Sequence, residues 1–457
     1  MTKRFELFDW QEEDVQAFVE HPSKSGFFAW EMGLGKTLAA VECAKRIGAE
    51  QVIVVLPLNT RRSWANTVKA QMPDMPFYRL ENSKGQVANF MRLRSGERGF
   101  YVIGWELMRS GVLTGQNADL IIADETHKMA NFGRSQQSDR IREFHSEYKL
   151  ALSGTPAANR PDGIFSTLNW LWPERYRSYH RWIDDFWRTR RNGAVIDLVR
   201  ELTPGGVIAD IPMFSRRLRA DHREDMPARL PETPVEIELT PGQRKLYDQF
   251  TKDSLAWVDD DDTGDTNFIP TSNPLVKQLR QIQVCLAVPT VIEGEVTFKE
   301  NAKSAGIDAL LEVLEQLGEE TLVVYTPSAK LVPVVVAQLQ KKGIKAEAFF
   351  GATKPAKRDE LIETLGTEYR VLVAGIAAIA EGTDGLQYKC HNEFWLGKHP
   401  NALLNTQCKM RLDRPGQTDA INSWYVYAAD TVMVDQLERL DEIEANLAEM
   451  LDNHPNK

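Results

Sequence analysis

The sequence predicts an α/β protein with two parallel-sheet lobes and helical insertions between them. Short β-branched runs, each followed by an amphipathic or polar helical stretch, fill the first half of the chain, and the same pattern returns in the second. At 457 residues the chain is about three times the ~150-residue prior for one domain, so two or three domains are expected. Hydrophobic residues make up 42% and charged residues 26%, which suits a chain with a real core and excludes disordered and collagen-like classes.

In the first half, 51–56 (QVIVVL), 100–104 (FYVIG), 120–123 (LIIA) and 150–152 read as buried parallel strands flanked by polar turns. In the second, 322–325 (LVVY), 346–350, 371–374 (VLVA), 393–396 (EFWL) and 423–427 are the candidate strands, with helices such as 307–317 between them. From about 157 to 300 the pattern turns helical, aromatic and proline-marked. Pro227, Pro231 and Pro234 place a linker near 226–234. The expected lobes are 1–228, with an Arg- and Trp-rich helical protrusion over about 157–223, and 229–457, with a helical insertion over about 241–300. The run 259–265 (DDDDTGD) reads as a solvated loop.

Lys plus Arg number 55 against 65 Asp plus Glu, a net charge of −10, so any nucleic-acid contact needs a local basic patch. One exists: residues 175–223 hold 11 Arg and no Lys against 6 Asp plus Glu, interleaved with Tyr176, Tyr179, Trp182 and Trp187. Aromatics turned inward and arginines outward would make this a duplex-gripping surface that is sequence-independent and salt-sensitive. Cys43, Cys285, Cys390 and Cys408 form no CxxC pair, which argues against a disulfide framework or a zinc knuckle and for a reducing compartment. The first ten residues have no apolar signal core, and the longest apolar run, 371–380, falls short of the ~20 residues that span a bilayer. A cytoplasmic protein with no membrane partner is expected.

Gly33-Leu34-Gly35-Lys36-Thr37 follows an apolar stretch and precedes a helix, the strand, loop, helix order of a phosphate cradle. Glycines admit phosphates to backbone N–H groups, Lys36 neutralises phosphate charge, and Thr37 offers a hydroxyl to Mg²⁺. Trp30 stands where the stricter GxxxxGK[ST] pattern has its first glycine. Asp124-Glu125-Thr126-His127 follows a strand, the Walker B position, with Asp124 on Mg²⁺ and Glu125 as the base for the attacking water. Ser153 and Thr155 set two hydroxyls on a turn suited to coupling the phosphate site to a neighbouring surface, with His127 as a third candidate. Downstream, Gln407, Arg411 and Arg414 are spaced four and three apart, one face of a helix from which two guanidinium groups can converge on an anion.

In this order the motifs resemble a superfamily 2 helicase core, specifically the Swi/Snf-type DNA translocase ATPases, nearly end to end. LFDWQ, with Gln11, resembles the family's adenine-reading glutamine segment; EMGLGKT its motif I; VVLPLNTRRSW motif Ia; DETHKMAN its DEAHRxKN; and LSGTPAAN its LTGTPxxN. The stretch from LWPERYRSYHRWIDDFW to FSRRLRADHREDMPARLPETPVEIELTPGQRKLY resembles the segment that sets remodeller-type motors apart. LVVYTPSAK and RVLVAGIAAIAEGTDGLQ resemble motifs IV and V, and QCKMRLDRPGQTDAINSWYVYAADTVMVDQ resembles motif VI with its RxGQ and trailing strand, the motifs themselves lying over 321–417. Trp30 replaces the family's usual Asp, and motif V carries Glu381-Gly382-Thr383-Asp384-Gly385 where the family more often has GGxGxN.

The resemblance implies two RecA-like lobes and a DNA-stimulated ATPase using ATP and Mg²⁺. Gln11, Gly33, Leu34, Gly35, Lys36, Thr37, Asp384 and Gln407 would serve the nucleotide, and Arg411 and Arg414 would be arginine fingers. Arg61, Arg62, Arg188, Arg190, Arg191, Arg216 and Arg217 are the candidate contacts to double-stranded DNA. A strand-separating or branch-migrating helicase and an ATP-gated clamp that does not hydrolyse are the alternatives. A minimal prokaryotic or phage-like member is expected.

Overall fold

The computed structural model describes residues 6–81, 87–130, 132–133, 135–192, 195–222, 227–252, 255–259, 266–270, 274–292, 295–380 and 384–452. Residues 260–265 of the acidic run, Arg223, and Glu381, Gly382 and Thr383 of motif V lie outside them, as does the side chain of Arg191. The chain divides into two compact units: 1–224 with 443–457, and 225–442. The sequence expectation put 443–457 with the second lobe; Met450 and Leu451 instead belong to the core of the first unit.

In the first unit the strands are β1 (Ser25–Trp30), β2 (Gln51–Leu56), β3 (Phe77–Leu80), β4 (Gly99–Gly104), β5 (Asn117–Asp124), β6 (His145–Leu152), a hairpin of β7 (Trp187–Asn192) and β8 (Val195–Glu201), and β9 (Phe214–Arg217). Seven of them form one parallel sheet in the order β3-β4-β2-β5-β6-β1-β9. β1, β2 and β4 are buried along nearly their whole length, which explains their continuous apolar runs, since a parallel sheet is covered on both faces. Three helices matter for the site: α1 (Asp9–Glu20), α2 (Lys36–Arg46) and α3 (Arg61–Gln71).

The second unit contains β10 (Thr233–Ile237), β11 (Leu255–Asp259), β12 (Thr266–Pro270), β13 (Thr290–Ile292), β14 (Glu295–Thr297), β15 (Leu322–Thr326), β16 (Ala346–Phe349), β17 (Val371–Gly375), β18 (Asn392–Trp395) and β19 (Asn422–Ala428). Six of these make a second parallel sheet, β10-β19-β18-β15-β17-β16. Two parallel sheets flanked by helices are the RecA-like architecture expected.

The stretch expected to be helical between 157 and 300 departs from expectation. It does contain helices, such as Tyr179–Phe186, Pro241–Lys252 and Pro274–Leu286, but also three antiparallel hairpins, β7-β8, β11-β12 and β13-β14. Tyr176, Trp182 and Trp187 are core residues of the first unit, so these aromatics do turn inward. Among the described residues, no helix is long and apolar enough to cross a membrane. All four cysteines are buried thiols without disulfide partners.

A buried charge network in the second unit ties the start of the 229–232 segment to the sheet. Arg229 pairs with the fully buried Glu393, while Glu232 meets Lys398 at 3.1 Å and Lys409 at 2.8 Å. Burial pushes the Glu232 carboxyl up, but the two ammonium groups outweigh it and hold it down at about 2. A folded-state value below the usual 4.5 means that this stability is complete above about pH 4.5 and is lost as the pH falls toward 2. Glu232→Gln is therefore expected to unfold at a lower urea concentration than the wild type at pH 7. The gap should narrow as unfolding is repeated below pH 4.5.

Candidate nucleotide site

The phosphate loop is shaped by its glycines. Gly33 and Gly35 take φ of 87° and 77°, in the left-handed region that side chains disfavour. At Gly35 space also decides, because a Cβ there would sit 2.6 Å from Nε2 of Gln11. Lys36 opens α2, so the helix N-terminus points its free N–H groups at the loop. Lys36 Nζ donates to the loop's own carbonyls, those of Trp30 at 2.7 Å and Glu31 at 3.2 Å. Burial lowers its pKa, partly offset by Glu125 and Asp124.

The parallel register brings the other motifs to the same place. β5 and β1 flank β6, with Asp124 opposite Leu152 and Phe28 opposite Leu152. The loops that leave the carboxyl ends of these strands carry Lys36 and Thr37, Asp124 and Glu125, and Ser153 and Thr155, which is where α/β sheets bind ligands. A Cβ on Gly154 would lie 3.6 Å from Lys36 Nζ, so this third loop runs beside the first.

Asp124 is the electrostatic centre. Burial, then the neighbouring charge of Glu125, raises its pKa to about 6, against the opposing pull of Trp64 and Lys36. The Trp64 indole N–H donates to Asp124 Oδ2 at 3.0 Å and that of Trp105 to the Asp124 carbonyl at 2.9 Å. Sequence reasoning missed both tryptophans as site residues, although Trp64 lies in motif Ia and Trp105 directly follows the strand read at 100–104; the available signal was that a buried indole needs an acceptor. Glu125 adopts φ 55° and ψ 56°, a conformation a non-glycine residue holds only under constraint. Its Oε2 lies 3.2 Å from His127 Nδ1, which is 3.3 Å from Thr155 Oγ1; the Thr155 N–H in turn donates to Ser153 Oγ at 3.2 Å. The three coupling candidates thus form one chain ending on Glu125.

A buried carboxyl raised by the neighbouring Glu125 charge, with the Thr37 hydroxyl in the first turn of α2 on the adjoining loop, is a donor set that suits a hard divalent cation, so the residues present fit Mg²⁺. Gln11 is buried, its Nε2 donating to the Leu34 carbonyl at 2.8 Å and its Oε1 accepting the Phe8 N–H at 3.0 Å. It therefore sits against the phosphate loop through Leu34.

In the second unit the arginine pair separates. The helix Ala402–Leu412 carries Gln407 and Arg411 and is capped at Asp413, so Arg414 lies beyond its end rather than on one face with them. Arg411 is buried and donates to the Ala380 carbonyl. Arg414 instead turns back, Nε to the Met410 carbonyl at 2.8 Å and NH1 to Asp384 at 2.9 Å. The Asp384 side chain is 81% exposed; partial desolvation by nearby protein pushes its carboxyl up, but Arg414 outweighs this and holds it below the usual range. Asp384 is therefore an arginine partner, and Gln407 is half-buried.

The candidate DNA arginines also divide. Arg62, Arg188 and Arg190 are exposed, and Arg61 is half-buried against Glu81. Arg188, Arg190 and Arg191 lie on β7, in a hairpin rather than a helix. Arg216 pairs with Asp452 at 3.1 Å and Arg217 with Asp14 at 2.8 Å, so their charge is matched inside the first unit.

The SNF2-related domain family matches residues 10–287, more than half of the chain. The human SWI/SNF-related matrix-associated actin-dependent regulator of chromatin subfamily A member 1 is 24% identical over 95% of this chain and 43% of its own length. An uncharacterized ATP-dependent helicase of Mycoplasma pneumoniae is 21% identical over 97% of this chain and 42% of its own length. The chain thus spans less than half the length of either relative. Among solved structures, the Sulfolobus solfataricus SWI2/SNF2 ATPase core in complex with dsDNA aligns over 99% of this chain and 98% of that one, at 16% identity and a TM-score of 0.43. With the phosphate loop, the acidic pair and the hydroxyl turn on adjacent strand ends, and the family match running through all three, the chain belongs to the SNF2-related family of Swi/Snf-type superfamily 2 ATPases.

Proposed function

We propose that this protein is an ATP-dependent DNA motor that hydrolyses ATP to translocate on double-stranded DNA and to displace or remodel what is bound there. The observation that carries the reading is the meeting of Lys36, Asp124, Glu125 and Thr155 on the ends of β1, β5 and β6, in a chain of the SNF2-related family. Lys36 exchanges the Trp30 and Glu31 carbonyls for phosphate oxygens when nucleotide enters. Thr37 and Asp124 hold Mg²⁺, which when bound offsets phosphate charge. Glu125 takes the proton from the attacking water, and the His127–Thr155–Ser153 chain links that proton acceptor to the third loop. Arg414, paired with Asp384, is the candidate arginine finger.

Arg62, Arg188, Arg190 and Arg191 are the phosphate-gripping candidates that remain, with Arg61 paired to Glu81 and Arg216 and Arg217 holding the first unit together. Contacts of this kind carry no base information, so binding is sequence-independent. Two substrates test the motor reading. A triplex-forming strand on duplex DNA should be displaced in the presence of ATP, while a fork with a trapped product strand stays annealed. Efficient fork opening without triplex displacement would replace the translocase with a helicase.

A further inference from the structure

Trp30, the residue that departs from the family's usual Asp, is fully buried, and both its carbonyl and its indole N–H have partners. Its carbonyl accepts the Lys36 ammonium. Its indole N–H donates to Ser215 Oγ on β9 at 2.8 Å, and the Ser215 hydroxyl donates to Asp14 on α1. Asp14 also receives a bidentate pair from Arg217, at 2.8 and 2.9 Å. Asp14 and Ser215 are each 7% exposed, so these hydrogen bonds form where water does not compete. Asp14 lies one turn after Gln11 on α1, and Gln11 reaches back to Leu34 in the phosphate loop. The Trp10 ring, on the same helix, meets the Trp30 ring edge-on at 4.9 Å. The loop, the glutamine helix and β9 are therefore joined by one buried hydrogen-bonded path.

We propose that Trp30, Ser215 and Asp14 are positioning residues for nucleotide binding: the path Trp30–Ser215–Asp14 fixes α1 against the phosphate loop, so that Gln11 and Lys36 face base and phosphate in one register. The inference rests on the ATP reading of the site. With the path cut, nucleotide binding must reorder the loop and α1, and that cost falls on affinity rather than on the chemical step.

The test is steady-state hydrolysis of ATP and GTP by the full chain. Trp30→Phe keeps a ring and removes the donor; Ser215→Ala removes the middle hydroxyl; Ser215→Thr retains it. Both disrupting variants are expected to raise KM for ATP about tenfold with kcat within about twofold, and to narrow the preference for ATP over GTP. Their double mutant should be no worse than either alone, because both break one path. Ser215→Thr should restore wild-type values. Folded variants with unchanged KM and ATP preference, an additive double mutant, or a Ser215→Thr as impaired as Ser215→Ala would each overturn the proposal. Lys36→Ala separates this from failure of the underlying reading: if it turns over ATP like the wild type, the site itself is misassigned.

Discussion

Glutamine at position 125 is expected to lower ATP turnover by about 10²–10⁴-fold while nucleotide affinity stays near that of the wild type. The substitution preserves size and removes the proton acceptor. The residues assigned to holding nucleotide, Lys36, Thr37 and Gln11, lie on other elements and are untouched. Metal affinity is not expected to fall either, because the charge of Glu125 is one of the two influences that raise the Asp124 carboxyl to about 6; without it Asp124 ionises more readily. Single-turnover hydrolysis together with a nucleotide-binding titration checks both halves. A Glu125→Gln variant within about tenfold of wild-type turnover would move the base elsewhere.

The second large effect concerns the two motif VI arginines, which the structure sets in different surroundings. Arg414→Ala should lose about 10³–10⁵ in kcat, the range of an arginine finger, with the melting temperature unchanged. Its guanidinium meets the exposed Asp384 carboxylate and the Met410 carbonyl, and an ion pair to an exposed carboxylate contributes little stability. Arg411→Ala should instead lower stability by about 1–3 kcal/mol, because the buried Ala380 carbonyl loses its donor. Kinetics and thermal melts on the two variants separate the roles. If Arg414→Ala hydrolyses ATP within tenfold of the wild type, the finger is Arg411.

How far the site was legible in the sequence follows from how local its chemistry is. A phosphate loop is built by consecutive residues, and an acid pair after an apolar strand declares itself in six letters, so Lys36, Thr37, Asp124 and Glu125 stand out in the sequence as candidates. The parallel strands were legible in their buried middles and not at their ends. β5 begins at Asn117 and β6 at His145, where polar residues pair in register although they lack apolar character. The β7-β8 hairpin was hidden because WRTRRN shows no apolar alternation. The fates of Arg216 and Arg217 were out of reach for another reason: their partners lie 236 and 203 residues away, and nothing local announces such pairs. Trp30 looked like a defect of motif I, and only the fold brings Ser215 to its indole.

The central proposal is that ATP hydrolysis drives movement along duplex DNA. It is tested most directly by steady-state ATP turnover at fixed low salt with no nucleic acid, single-stranded DNA, RNA, and blunt duplexes of increasing length. The account predicts that duplex DNA stimulates most and that turnover rises with duplex length before levelling. Strongest stimulation by single strands, or turnover indifferent to duplex length, would contradict it.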